Sequence, residues 1–181
     1  LLASWMDEHM LTVTSRGGNA REWAHLRPGG ANFHSLNLGT CLGFALGVSL
    51  AFPRRKVVAI DSDGSLLLDT SALVTVADVN PPNLLVLVFD NQVYSGTRIS
   101  EPTATAGKTD LAMMARGAGI EQATTVRDLD SFQTELNDAL AGHRLKFIVC
   151  KVEESLAHRE ILRTDLDAMR PSLIPALLAA C

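Results

Sequence analysis

Two unbroken apolar runs constrain this chain most. Lys56 to Ile60 ("KVVAI") and Leu84 to Phe89 ("LLVLVF") lack the alternation of a sheet with one wet face. Such runs read as strands buried on both sides, the pattern of parallel sheets. Between them, Leu67 to Val79 has helical spacing and stops before Asn80-Pro81-Pro82, where proline blocks continuation. Met10 to Thr14 reads as a short strand closed by the turn cluster Ser15 to Asn19. Gly39 to Phe52 is apolar all round, with Gly43 and Gly47 four apart, and reads as a buried helix packed close against a neighbour.

Further along, Asp110 to Gly117 and Leu129 to Leu140 read as helices, and Ala123 to Val126 and Phe147 to Val152 as strands. Pro171 to Ala180 reads as a terminal apolar helix. Gln92 to Lys108, rich in Thr, Gly and Ser, reads as a loop of a length that usually carries function. Strands alternating with helices predict an α/β fold, a doubly wound, mainly parallel sheet with helices on both faces. Residues 1–181 are expected to form a single domain.

The net charge of −4 argues against nucleic acid or anionic membrane as a partner. No apolar run reaches the roughly 18–20 residues of a membrane span. Leu1 to Thr14 lacks the basic start of a secretion signal. Cys41, Cys150 and Cys181 form no C-x-x-C pair, which fits a reducing cytoplasm. The five histidines have no metal-ligand spacing, and Pro53-Arg54-Arg55-Lys56 reads as a solvated turn.

The first apolar run ends in Asp61-Ser62-Asp63-Gly64-Ser65 and the second in Asp90-Asn91. One reading is that Asp61, Asp63 and Ser65 cap a helix. The sharper reading places Asp63 and Asn91 together beyond the carboxyl ends of adjacent strands, where such sheets hold ligands. A carboxylate and an amide oxygen are hard donors that suit Mg²⁺. Gly64 and Ser65 stand where the next helix begins and can meet an anion. The residues therefore point to a Mg²⁺–diphosphate site.

Asp-Gly-Ser followed by Asp-Asn across a helix and a strand resembles the G-D-G…N-N motif of thiamine diphosphate enzymes, in their diphosphate-binding domain. "VTSRGGNAREW", "SLNLGTCLGFALGVSLAFP", "FDNQVYSGT" and "TDLAMMARGAGI" extend the likeness over roughly Leu11 to Glu153. It is closest to the group of the sulfopyruvate decarboxylase β subunit and phosphonopyruvate decarboxylase.

The resemblance implies thiamine diphosphate and Mg²⁺ as cofactors, with Asp63, the Asn91 side chain and the Val93 carbonyl as metal ligands. Gly64, Ser65 and the turn from Gly17 to Asn19 would hold the diphosphate. Leu38 would prop the cofactor in its bent conformation, with Leu36 accepting from its aminopyrimidine and Asn37 and Gly39 flanking it. Tyr94, Thr97 and Arg98 would face the substrate, a small acidic 2-oxo acid that loses CO₂ and leaves as an aldehyde.

Three positions depart from the family: Ser62 for the first glycine, Leu36-Asn37 for Gly and Ser, and "TRISEPT" for a Gly-Gly-Gln-Pro-Thr type loop. The family's activating glutamate belongs to a pyrimidine-binding domain, which this chain is expected to lack. A separate pyrimidine-domain subunit, or a homo-oligomer, is therefore the expected partner. An oxidoreductase or carboligase half-subunit and an inactive cofactor-binding partner remain as alternatives. The absence of G-x-G-x-x-G after the first strand weakens a nucleotide-binding reading.

Overall fold

The computed structural model describes residues 1–34, 37–94, 100–154 and 166–178. Its sheet has six strands: β1 (Leu11–Thr14), β2 (Asn32–His34), β3 (Val57–Ser62), β4 (Leu84–Asp90), β7 (Ala123–Val126) and β8 (Lys146–Lys151), with a two-stranded ribbon, β5 (Val93–Tyr94) and β6 (Glu101–Pro102), between β4 and β7. The order across the sheet is β2-β1-β3-β4-β8-β7, and every adjacent pair is parallel. Winding outward in both directions from β1 and β3 makes that pair the switch point of the sheet.

Helices cover both faces. α3 (Cys41–Ala51), α5 (Ser71–Val79) and α6 (Leu111–Ala118) bury Cys41, Leu42, Leu73, Val76, Leu111 and Ala115 against Val57, Ala59, Val86 and Phe147. α1 (Leu2–Trp5), α2 (Gly18–Leu26) and α7 (Leu129–Ala141) bury Leu2, Trp23 and Leu136 against Val58, Ile60, Leu85, Leu87 and Ile148. The one-turn α4 (Asp63–Leu66) follows β3 directly, and α8 (Leu166–Leu178) closes the described chain. The doubly wound expectation holds, and the sheet is parallel throughout. Among the described residues no helix is long and apolar enough to cross a membrane.

Several local expectations change. Asn19 lies in the first turn of α2, not in a turn cluster, and β2 was not anticipated. Helix α5 starts at Ser71 rather than Leu67, because α4 and its closing turn occupy the residues between. Residues 92–108, expected to be loop, contain β5, β6 and a 3₁₀ turn at Ala104–Ala106. Helix α8 begins before Pro171 and carries Pro171 and Pro175 inside it.

Pro53 and Arg54 form the exposed turn expected of this cluster, but Arg55 and Lys56 are not solvated. Arg55 is buried and its Nε donates to the His9 carbonyl at 2.6 Å. Lys56 Nζ donates to the carbonyls of Ala139 and Gly142, both at 2.7 Å, satisfying the end of α7. These cations serve the amino ends of the central strands, opposite the site.

Helix α3 is closed in the same way. Nδ2 of buried Asn83 donates to the carbonyls of Ser49, Phe52 and Arg55 at 3.1, 3.1 and 2.9 Å. Replacing it by Ala removes this donor from the buried Ser49 and Arg55 carbonyls, while Phe52 keeps the Arg55 N–H. Asn83→Ala is expected to lower stability by about 2–3 kcal/mol, read from the shift of the urea midpoint.

Candidate functional site

β3 and β4 pair in register, Asp61 opposite Val88 and Ser62 opposite Phe89. Both chains therefore leave the sheet at the same level, and the polar residues that follow them meet. Asp63, the first residue of α4, is 1% exposed, and Asp90 at the end of β4 is also 1% exposed.

Two threonines join these carboxylates. Thr103 Oγ1 donates to Asp63 Oδ2 at 2.6 Å, and Thr105 Oγ1 donates to Asp90 Oδ1 at 2.7 Å. The single Thr105 proton is shared with Asp63 Oδ2 at 3.1 Å, and the two threonine oxygens lie 2.8 Å apart. Lys151 Nζ reaches Asp90 Oδ2 at 2.5 Å, and no Lys or Arg among the described residues pairs with Asp63. Burial holds the Asp63 carboxyl above its ordinary value; the Thr103 hydrogen bond opposes this and the Asp90 charge adds to it. The cluster is rich in oxygen and short of positive charge.

The Asn91 and Val93 expectations fall on the next turn. Asn91 Oδ1 accepts the Val93 N–H at 3.2 Å, an Asx turn that bends the chain into β5. Gln92 between them has φ of 66°, and its N–H donates to Asp90 Oδ1 at 3.1 Å. Among the described residues no three His, Cys, Asp or Glu side chains gather as a metal site. A cation here would need amide and backbone oxygens beside Asp63, and this hard donor set suits Mg²⁺.

Ser62, the departure from glycine, has φ of −121° and ψ of 158°, extended backbone that any residue adopts. Its Oγ accepts the Ser65 N–H at 3.3 Å, so Ser62, rather than Asp61 or Asp63, caps α4. Gly64 is needed for another reason. A Cβ there would lie 2.6 Å from Cε1 of the Tyr94 ring, which packs across the glycine.

Ser65 points inward. Its Oγ accepts the Gly39 N–H at 3.1 Å, and its hydroxyl bonds Asp61. That bond ties the segment before α3 to α4. Gly39 has φ of 83°, and a Cβ would meet Leu68 at 3.2 Å, so glycine is required there. Asn37 and Leu38 are exposed beside it, Leu38 by 50%, while Leu36 lies outside the described residues, as do Thr97 and Arg98.

On the other side of the switch point, Gly17 precedes α2 with φ of 115°. Asn19 Nδ2 donates to the Asp61 carbonyl at 2.8 Å, so this amide pins α2 to β3. Asp61, Asp90, Thr103, Thr105 and Lys151 were not among the expected site residues. The repeated Thr-x-Thr after a polar segment was the only signal for the threonines.

The sequence was also compared with known proteins. The family model "Thiamine pyrophosphate enzyme, C-terminal TPP binding domain" matches residues 18–150. This chain belongs to that family. The sulfopyruvate decarboxylase subunit β of Methanocaldococcus jannaschii is 31% identical over 145 residues, 80% of this chain and 76% of that subunit. A phosphonopyruvate decarboxylase of Streptomyces viridochromogenes is 31% identical over 169 residues, 92% of this chain but only 40% of that protein. The benzoylformate decarboxylase structure from Polynucleobacter necessarius superposes with a TM-score of 0.65 at 18% identity, over 86% of this chain and 32% of that one, a likeness of fold. As a member of the thiamine pyrophosphate enzymes, the chain has its oxygen cluster on the thiamine pyrophosphate-binding domain.

Two outcomes follow from the geometry. Gly64→Ala must push the Tyr94 ring away and is expected to cost about 1–3 kcal/mol, measured by urea unfolding. Burial pushes the Asp61 carboxyl from 3.8 up to about 6, against the hydrogen bonds from Ser65 and the Ser62 N–H. The folded chain thus binds this proton more tightly than the unfolded one, and stability falls as pH rises from about 4 to about 6. That fall amounts to about 3 kcal/mol. Asp61→Asn should flatten it, seen by comparing urea midpoints of the two proteins between pH 4.5 and 7.

Proposed function

We propose that this chain is the diphosphate-binding half of a thiamine diphosphate-dependent decarboxylase of a small acidic 2-oxo acid, such as sulfopyruvate or phosphonopyruvate. The observation that carries the reading is the buried, oxygen-rich end of β3 and β4, where Asp63 has no cationic side chain against it among the described residues. In this reading Mg²⁺ is held by Asp63, the Asn91 side chain and the Val93 carbonyl. Gly64, Ser65 and the Gly17–Asn19 start of α2 cradle the diphosphate, with backbone N–H groups carrying the contact, since the Ser65 hydroxyl and the Asn19 amide are committed to the scaffold. Thiamine diphosphate supplies the electron sink that lets a 2-oxo acid lose CO₂. This chain binds and orients it, with Leu38 and Tyr94 flanking the site.

A second chain completes the site in this reading. Helix α3 supports it, because Gly43, Phe44, Gly47, Leu50 and Ala51 are exposed along one side without a polar residue among them. The neighbour expected for the glycine pair is not among the described residues, where a Cβ at Gly43 or Gly47 meets nothing within 4 Å. Exposed Leu68, Val74 and Met113 on this layer extend the apolar surface, which suits a protein partner. The name of the archaeal relative, subunit β, is consistent with a pyrimidine-domain subunit in that place. Buried, unpaired Cys41 and Cys150 fit a cytoplasmic setting.

Calorimetric titration of thiamine diphosphate into the chain, with and without Mg²⁺ and beside Asp63→Asn, tests the reading. Binding is expected only with Mg²⁺, and the variant should lose at least tenfold in affinity. CO₂ release from sulfopyruvate or phosphonopyruvate should then require the co-expressed second chain. Mg²⁺-independent binding, or an unaffected variant, would remove the assignment of Asp63.

A further inference from the structure

Three elements must come together for the metal ligands to converge: Asp63 arrives on α4, Asn91 leaves β4, and Val93 belongs to β5. One short segment touches all three. Thr103 Oγ1 grips Asp63 Oδ2 at 2.6 Å, while its N–H donates to the Gln92 carbonyl at 2.9 Å. Pro102, just before it, pairs with Val93 in the β5–β6 ribbon. Thr105 Oγ1 bridges Asp90 Oδ1 at 2.7 Å and Asp63 Oδ2 at 3.1 Å, and its carbonyl accepts from Gln92 Nε2 at 3.3 Å. Both threonines are buried, at 4% and 3% exposure.

From this arrangement we propose that Thr103 and Thr105 are positioning residues for the cation site. Both hydroxyls act on one oxygen of Asp63, which fixes the rotation of the carboxylate. Thr105 also lashes the α4 end to the β4 end, so the carboxylate and the Asn91–Val93 turn keep their spacing before any ion arrives. Asp90, held by Lys151, serves as the fixed post for this bridge. Partners that orient a ligand in this way commonly change metal affinity by about 10- to 100-fold when removed. The inference rests on the Mg²⁺ reading above, and its test separates the two.

Mn²⁺ is titrated into the full chain with saturating thiamine diphosphate, and free Mn²⁺ is followed by electron paramagnetic resonance. The proteins are the natural chain, Asp63→Asn, and the Val and Ser variants of Thr103 and of Thr105. Valine keeps the shape and removes the hydroxyl; serine keeps the hydroxyl. Each Val variant is expected to bind Mn²⁺ about 10- to 100-fold more weakly, and each Ser variant within about threefold of the natural chain. Circular dichroism without metal establishes which variants fold, and either threonine alone suffices to decide.

Val variants that bind as the natural chain does, while Asp63→Asn fails, would overturn the positioning role and leave the metal site standing. Ser variants as weak as Val variants would also overturn it, since packing rather than the hydroxyl would then be at issue. A natural chain that binds no Mn²⁺, or an Asp63→Asn variant that binds it equally well, would overturn the metal reading and this inference together.

Discussion

Two carboxylates buried side by side are the constraint on which this end of the molecule is arranged. Parallel pairing of β3 with β4 in register makes it unavoidable, because the residue after Ser62 and the residue after Phe89 reach the same level. Two buried negative charges repel strongly and lose their hydration. The surrounding sequence answers each differently. Asp90 takes Lys151 from β8, its register partner, together with one hydroxyl and one backbone N–H. Asp63 is left with hydroxyls, the Gly64 N–H and a raised affinity for a proton. One member of the pair is thereby neutralised and the other left short of positive charge, which is what the proposed cation at Asp63 would answer.

The same division runs through the polar residues around it. Asn19, Ser62 and Ser65 come from the segments expected to meet a diphosphate, yet each spends a side-chain bond on the scaffold: on the Asp61 carbonyl, on the Ser65 N–H, and on Gly39 and Asp61. Their effect is to lock α2, α4 and the start of α3 to the end of β3. What remains for a ligand is backbone N–H, the glycine surfaces at Gly17 and Gly39, and the carboxylate itself. A diphosphate is recognised well by such groups, since they need no side-chain reorganisation to receive it.

The central strands, α5's end at Asn80 and the polar ends of β3 and β4 were legible because each rests on a local signal: consecutive apolar residues, proline, and polar residues at strand ends. Strand β2 was not, since three half-buried residues carry no period. Helix α2 was hidden by its polar sequence, "GNAREWAHL", in which Ala20 and Trp23 are buried. The wiring of the site was the least legible part. Thr103 lies 40 residues from Asp63 in sequence and Lys151 lies 61 from Asp90, so their meeting depends on strand order rather than on spacing. A hydroxyl in a loop has no sequence signature of its own, and Arg55 and Lys56 show the converse, charges that look solvated but donate to backbone carbonyls.

Helix α3 joins the site to an apolar surface left uncovered among the described residues. It begins just after Gly39, whose N–H is bonded to Ser65, so its position is set by the same contact that orders α4. Its inner side is core, with Leu42 and Ala45 buried, while Phe44 and Leu50 face outward. Covering an apolar stripe of this kind is favourable by about 25 cal/mol per Å² of apolar surface, and a helix so covered would be fixed from both sides. Anything that packs there bears on Gly39, and through Ser65 on Asp61 and α4, without touching the carboxylates. If a second chain completes the site as proposed, its packing on α3 and the order within the site become one mechanical problem.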